Sequence, residues 1–491
     1  MSRVGPDCGE PLIFEKSVPG ACAVDLGSSD VPAADPKKNV PAALLADDAP
    51  PLPEVGELEL IRHYSRLGSR LFSVDANFYP LGSCTMKYNP RVNEWAASLS
   101  GFTSLHPLQS ESDMQGALEL LYNTRIFLEE IAGLDEVSLQ PAAGAHGEMT
   151  GLMVINAFHA DHGGMRPNVL TPDTAHGTNP ASCTICGRIA IPVKSRPDGL
   201  VDLADLRSKV DKQTAALMIT NPNTVGKFDP QIKEMADILH RQGAMLYLDG
   251  ANMNAILGIT RPGDFGVDVM HYNTHKTFST PHGCGGPGSG PIAVRREFAP
   301  YLPIPQVEKR SDGTYYFDND RPKSIGKVRT FASQFGVLVR CYAYLRALGP
   351  DGLRDVSEKA VLVANYLAAC FRGAAGYELP LAGPYSHEFL LKPHLNDGLR
   401  VLDYAKRLID FGMHPPTMEW PIHGTLMIEP TETESKATLD EFATTMKEIA
   451  KEAAESPDTL KNAPHSAWIE RADEVLASRK LNLRWTPESA T

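Results

Sequence analysis

The chain has 491 residues, 42% hydrophobic and 22% charged, with a formal net charge of −13. That length allows a large apolar core and more than one domain, and the composition is that of an ordinary soluble globular protein. The acidic balance argues against a nucleic-acid binder, which presents a basic face, and no stretch reaches the ~18–20 apolar residues of a membrane helix.

The N-terminus, MSRVGPDCGEPLIF, lacks the basic stretch and apolar run of a secretory signal. It also lacks the Arg- and Ser-rich character of a transit peptide, so a cytoplasmic prokaryotic protein is expected. Residues up to about 60 are rich in Pro, Ala and Asp and predict an extended arm with little core of its own. Such an arm either wraps a neighbouring subunit or hangs as a loose tail. No repeat at a solenoid period is present.

From about residue 115 the pattern alternates between helices and short apolar strands. GALELLYNTRIFLEEIAGL predicts a helix, EVSLQ at 136–140 a strand, and GEMTGLMVINAFHA a second helix. NVLT at 168–171, IAIPVK at 189–194, AALMIT at 215–220 and AMLYLD at 244–249 predict buried strands. This alternation implies an α/β fold with a mostly parallel sheet covered by helices on both faces. Beyond about 330, DGLRDVSEKAVLVANYLAACF and SKATLDEFATTMKEIAKEA carry apolar residues at helical spacing, as in a smaller α+β domain. The predicted parts are an N-terminal arm and lead-in segment over 1–100, a large domain over 101–330 and a small C-terminal domain over 331–491.

The eight cysteines are too sparse for a disulfide scaffold. Cys183 and Cys186 form one CxxC with no second pair and no histidine pair beside it, whereas zinc needs four ligands. A redox pair or a chance pair on a helix are the alternatives, and no metal is expected.

Chemistry concentrates around AMLYLDGANMNA and HYNTHKTFSTPHGCGGPGSGP. Asp249 follows a buried apolar run, where a carboxylate is costly unless a cation or strong donor meets it. Ligands of open α/β sheets bind at that edge, and a pyridinium N–H would suit; the plainer alternative is an N-cap. Lys276 lies 27 positions later among His275, Thr277 and glycines, not in a helix-surface context. A partly desolvated amine there can become a nucleophile toward an aldehyde.

Upstream, the run Pro141 to Glu148, which contains Gly144, Ala145 and His146, links a strand to a helix and can cradle an anion; an ordinary turn reads the same. His176 could lie flat on a cofactor ring, and Asn223 could hydrogen-bond a phenolic oxygen; each is weak alone, but all sit at successive strand ends. The run 283–288 matches GxGxxG, yet polar residues precede it, Pro287 interrupts it and a strand-like PIAVRR follows. A dinucleotide fingerprint should follow a strand and open a helix, so that reading is rejected.

NTHKTFSTPHGCGGPGSGP resembles the lysine segment of the glycine decarboxylase (P-protein) family. PLIFEKSVPG, PLGSCTMKYNP, LHPLQ, PAAGAHGE, AHGTNPAS, TNPNTVGKFD, YLDGANMNA, RPKSIGKV and MIEPTETES resemble the same family across nearly the whole chain. The resemblance implies fold-type-I architecture dependent on pyridoxal phosphate (PLP), decarboxylation of glycine, and transfer of the aminomethyl group to the lipoyl arm of the H-protein. Family members occur as one long chain of two halves or as two subunits. This chain has one half's length and carries the lysine, so it resembles subunit 2 of the split form, with a lysine-lacking subunit 1 as partner.

By position, the resemblance makes Lys276 the Schiff-base lysine, Asp249 the partner of the ring nitrogen and His176 the ring-stacking residue. Gly144, Ala145 and His146, with His275, correspond to the phosphate-binding part. Cys183, Cys186 and the run Trp420 to Gly424 depart from the family's form. An aminotransferase or a cysteine desulfurase would share the Asp-to-Lys core, and a non-catalytic scaffold subunit is opposed by Lys276 and Asp249 together.

Overall fold

The structure, a computed structural model, describes residues 9–48, 50–283, 288–396, 398–481 and 483. The start of the chain and most of the glycine-rich run at 283–288 lie outside the described residues.

Backbone contacts divide the chain into two compact units: residues up to Ser73 with those from Ala463 onward, and Val74–Asn462. In the first, short helical turns at Ile13–Lys16 and Pro36–Asn39 interrupt extended chain, and one longer helix spans Glu57–Gly68. The Pro- and Ala-rich run buries little: Leu26, Val31, Leu44 and Leu52 are exposed. Charge supplies part of the order. Glu10 meets Lys16 at 2.7 Å, His63 at 3.0 Å and Arg66 at 3.3 Å. Hydrogen bonding from Lys16 is the main influence holding its carboxyl down at about 2.

The second unit is built on a seven-stranded sheet of β1 (Glu136–Ser138), β2 (Asn168–Pro172), β3 (Ile189–Val193), β4 (Thr214–Thr220), β5 (Met245–Gly250), β6 (Val269–Tyr272) and β7 (Ile292–Val294). Its order is β1-β7-β6-β5-β4-β2-β3. Strands β2 to β6 pair in parallel, and β7 runs antiparallel to both β1 and β6.

Alternate side chains of the central strands feed two separate cores. Leu217, Ile219, Leu246 and Leu248 point to one face; Ala216, Met218, Met245 and Tyr247 point to the other. Helix α1 (Gln115–Ala132) contributes to the first core, and α2 (Gly144–Asp161) and α3 (Thr178–Ile185) to the second. Helix α4 (Ile232–His240) presents Ile232, Met235 and Leu239 to the first. β3 departs from expectation. It is the edge strand, and only Val193 is buried. Helix α1 stops at Gly133, whose φ of 65° turns the chain out of the helix at little steric cost.

After β6 comes the single turn α5 (Thr274–Thr277), and β8 (Gln306–Lys309) pairs with β9 (Tyr315–Asp318). The helical segment α6 (Phe335–Phe371) is broken at Gly349, with Pro350 next. Its second half, with α7 (Val401–Asp410) and α8 (Lys436–Glu455), packs on an antiparallel sheet of β10 (Tyr377–Glu378), β11 (Phe389–Pro393), β12 (Thr417–Met418) and β13 (Leu426–Ile428), ordered β10-β11-β13-β12. Among the described residues no helix is long and apolar enough to cross a membrane.

Candidate active site

Strands β2, β4, β5 and β6 release their chains at the same sheet edge, where a cavity of about 240 Å³ opens. Asp249 and Thr220 line it from the ends of β5 and β4, Gly144 and Ala145 from the first turn of α2, His176 from the turn after β2, and Asn273, His275 and Lys276 from the turn after β6. A larger groove of about 690 Å³, bordered by Phe127, Ile131, Leu345 and Gly349, lies elsewhere and lacks such converging buried polar groups.

Asp249 is buried and accepts from Asn179 Nδ2 at 3.1 Å and from the Ala251 N–H at 3.0 Å. His271, its register partner on β6, places Nε2 3.2 Å from Asp249 Oδ1. Burial alone would raise the carboxyl, but the attraction of His271, then of Lys276, outweighs it and holds Asp249 well below the usual carboxylate range. His271 answers in the opposite direction: burial depresses it, yet Asp249 lifts it above its ordinary value. Tyr247 Oη lies 2.9 Å from His271 Nδ1 and holds the other side of the ring. Asn179 also donates to Glu148 at 3.1 Å, so Glu148, Asn179, Asp249 and His271 form one buried polar row.

The first turn of α2 has no side-chain cap at its N-cap Ala143. The N–H groups of a first helical turn have no partner inside the helix and attract an anion. A Cβ on Gly144 would come within 1.8 Å of Asn273 Oδ1, and one on Gly290 within 2.0 Å of the Ala143 carbonyl, so only glycines permit this close packing. His275 Nδ1, Asn273 Oδ1 and Thr220 Oγ1 are buried without a hydrogen-bond partner. Burial, with help from His282 and Lys276, depresses His275 to about 3, so it stands as a neutral imidazole. His176 is the exposed member; its Nδ1 lies 2.7 Å from Thr178 Oγ1, which donates to Glu148, and its ring meets Trp420 edge-on at 5.8 Å. Lys276 Nζ donates to the Ser83 carbonyl at 2.7 Å.

Of the residues singled out in the sequence, Gly144, Ala145, His176, Asp249, His275 and Lys276 meet at this cavity. His146 and Asn223 are not brought to its wall. His146 Nδ1 turns back to accept from the Ala142 N–H at 3.1 Å. Asn223 donates to the Gly199 carbonyl at 2.8 Å and accepts from the N–H groups of Val225 and Lys227, which ties its amide to a neighbouring loop. Sequence reasoning missed the roles of Glu148, Asn179, Thr220, His271 and Asn273. It also missed Lys87, whose buried ammonium donates to Asn254 Oδ1, the Thr277 carbonyl, Tyr344 Oη and Glu432 Oε1 at 2.8–3.1 Å. The only sequence signal for Lys87 and Glu432 was that both lie in runs resembling the family, PLGSCTMKYNP and MIEPTETES. Cys183 is buried in α3 with its thiol pushed up to about 12 by burial, and Cys186 closes the same helix.

Residues 26–313 match the family described as glycine cleavage system P-protein, and 356–468 match the glycine dehydrogenase C-terminal domain. The chain belongs to the glycine cleavage system P-protein family. Bacillus licheniformis has a relative 54% identical over 97% of this chain and 99% of its own length, named probable glycine dehydrogenase (decarboxylating) subunit 2. A relative of the same name from Shouchella clausii is 53% identical over 98% of both chains. Among solved structures, an inhibitor-bound glycine decarboxylase (P-protein) superposes with a TM-score of 0.72 at 21% identity, covering 84% of this chain and 94% of that one. The sphingosine-1-phosphate lyase of Burkholderia pseudomallei K96243 follows at 0.63 and 17%, covering 85% and 96%. These likenesses establish the fold expected from the sequence.

Proposed function

We propose that this protein decarboxylates glycine and passes the aminomethyl group to the lipoyl arm of the H-protein, using PLP held on Lys276. The observation that carries the reading is the convergence of Lys276, buried ionised Asp249 and an uncapped helix N-terminus on one cavity. The residues present fit the cofactor. The first turn of α2, with His275 beside it, suits a phosphate. Asp249 suits a ring N–H, His176 stands at the mouth to cover a ring face, and the unpartnered Thr220, Asn273 and His275 atoms await polar contacts.

When bound, PLP supplies an electron sink for the pair left on the glycine α-carbon as carbon dioxide departs, and the lipoyl disulfide is the oxidant. The chain supplies position and charge. Asp249 keeps a proton on the facing nitrogen, and His271 with Asn179 keeps Asp249 ionised and aimed. Lys276 provides the amine that anchors the cofactor.

The same reading assigns a homologous subunit 1 as partner, in line with the subunit 2 naming of the relatives. The test is glycine-dependent exchange of labelled carbon dioxide with lipoylated H-protein, with and without subunit 1, alongside borohydride reduction and peptide mapping. Exchange that requires both partners and a label on Lys276 are expected. A label on another lysine sinks the site assignment, and full exchange without subunit 1 sinks the two-subunit reading.

A further inference from the structure

The segment Ser83–Thr85 passes beside Lys276 in an unusual conformation. Ser83 and Thr85 have φ of 61° and 46°, a left-handed region that residues with a Cβ avoid. Two such residues within three positions persist only where their surroundings hold them. Glu388 Oε2 accepts the Ser83 N–H at 2.6 Å. Glu429 accepts the Thr85 N–H at 3.0 Å and the Thr85 hydroxyl at 2.5 Å. The Gly82 N–H donates to the Met427 carbonyl at 3.2 Å, while Thr417 Oγ1 donates to the Gly82 carbonyl at 2.8 Å.

Both carboxylates are fully buried. Among the described residues neither pairs with a Lys or Arg; His387 Nε2 approaches each at 3.9 Å. Burial pushes Glu388 well above the carboxylate range and Glu429 up to about 7. The attraction of Lys276 offsets only part of this, and burying two acids with no cation in direct contact is unfavourable for stability. What the restrained turn delivers is the Ser83 carbonyl, the acceptor for Lys276 Nζ.

We propose that Glu388 and Glu429 are positioning residues that hold the Ser83–Thr85 turn so that the Ser83 carbonyl receives the Lys276 amine whenever that amine is not bonded to the cofactor. The inference rests on the assignment of Lys276 as the cofactor lysine. In each turnover the substrate amine takes the lysine's place and the lysine later returns. A free four-carbon side chain samples many rotamers, and a fixed acceptor keeps its amine near the point of reattachment.

The test uses the full chain with Glu388→Asp, Glu429→Asp, Glu388→Gln and Glu429→Gln. Asp keeps the carboxyl group but loses the reach; Gln keeps the reach and an acceptor oxygen but loses the titratable carboxyl. One readout needs no cofactor: hydrogen exchange at the Ser83 and Thr85 amides. The other is the rate of Lys276 capture by PLP, followed by absorbance and mapped after borohydride reduction. The Asp variants should exchange about tenfold faster at these amides and capture PLP about tenfold more slowly, while the Gln variants stay near wild type. Glycine adopts a φ of 61° without strain, so Ser83→Gly added to Glu388→Asp should restore part of the capture rate. Unchanged Asp variants, or Gln variants that lose capture while their amides stay protected, overturn the proposal. A wild-type label on another lysine would instead overturn the cofactor assignment, and the amide exchange would still report on the clamp.

Discussion

Asp249 shows how a single residue is tuned by its row of neighbours. Asp249→Asn preserves the shape but leaves one acceptor oxygen where Asp249 uses both, toward Asn179 and toward Ala251, and an amide cannot hold a proton on a facing ring nitrogen by charge. Bound PLP should survive, and glycine-dependent exchange should fall by about 100-fold or more, equal to ~2.7 kcal/mol of barrier. An unchanged rate would remove Asp249 from the mechanism. Asn223 is the contrasting case. Its amide serves the backbone at Gly199, Val225 and Lys227. Asn223→Ala should therefore cost stability, about 1–3 kcal/mol read as a lower thermal midpoint, and leave the spectrum of bound PLP unaltered; a shifted spectrum would return Asn223 to the cofactor. Both residues lie at strand ends, and strand position alone could rank neither; only the family resemblance gave Asp249 a specific role. Strand position tells that a side chain is near an edge, while rotamer and loop path decide which way it turns.

At the scale of elements, the segment 80–89 ties the lysine turn to the smaller antiparallel sheet. Leu81 bridges to Ile428, Lys87 holds the Thr277 carbonyl and Glu432, and Asn89 donates to the Ser279 carbonyl at 2.9 Å. Burial alone would depress the Lys87 amine, but Glu432, then Tyr344, raise it above its ordinary value. A raised lysine contributes stability that is full below its ordinary pKa and is lost only as pH climbs past the raised value, so the contribution is undiminished at neutral pH. Lys87→Met leaves Glu432 buried without its cation and should destabilise the protein by about 3–5 kcal/mol. A denaturation midpoint unmoved at pH 7 would contradict that. Strands β1 to β5 and helices α1 and α2 were legible because period and apolar run length encode them locally, whereas β6 and helices α3 and α4 were not singled out. Beyond its resemblance to the family, the segment 80–89 was not legible, because it mixes polar and apolar residues without a period, forms no regular element and takes its meaning from partners in distant parts of the sequence. The break at Gly349 and Pro350 hid the first half of α6 in the same way: the apolar spacing after the break was found, and the half before it was not.

For the whole molecule, the sequence resemblance conveyed family and fold, and the lysine and acid proposed for the site came with them. It could not convey the closure of the pocket, which depends on contacts across the chain: Ser83 to Glu388 spans 305 positions, Thr85 to Glu429 344, and Lys87 to Glu432 345. The seven-stranded sheet lies entirely between Glu136 and Val294.

That separation sets an order in time. On the ribosome, every strand of the large sheet has been made before Glu388, Glu429 or Glu432 exists. Contacts between distant residues also form late when a whole chain refolds. Amides of β4 and β5 should therefore gain protection from exchange before Lys276 acquires its wild-type rate of capture by PLP; simultaneous appearance would show that the pocket does not wait. If Lys276 is the cofactor lysine, a chain interrupted after the sheet would carry the lysine and the acid yet lack Glu388 and Glu429 behind the Ser83 carbonyl, and it should capture PLP more slowly than the full chain.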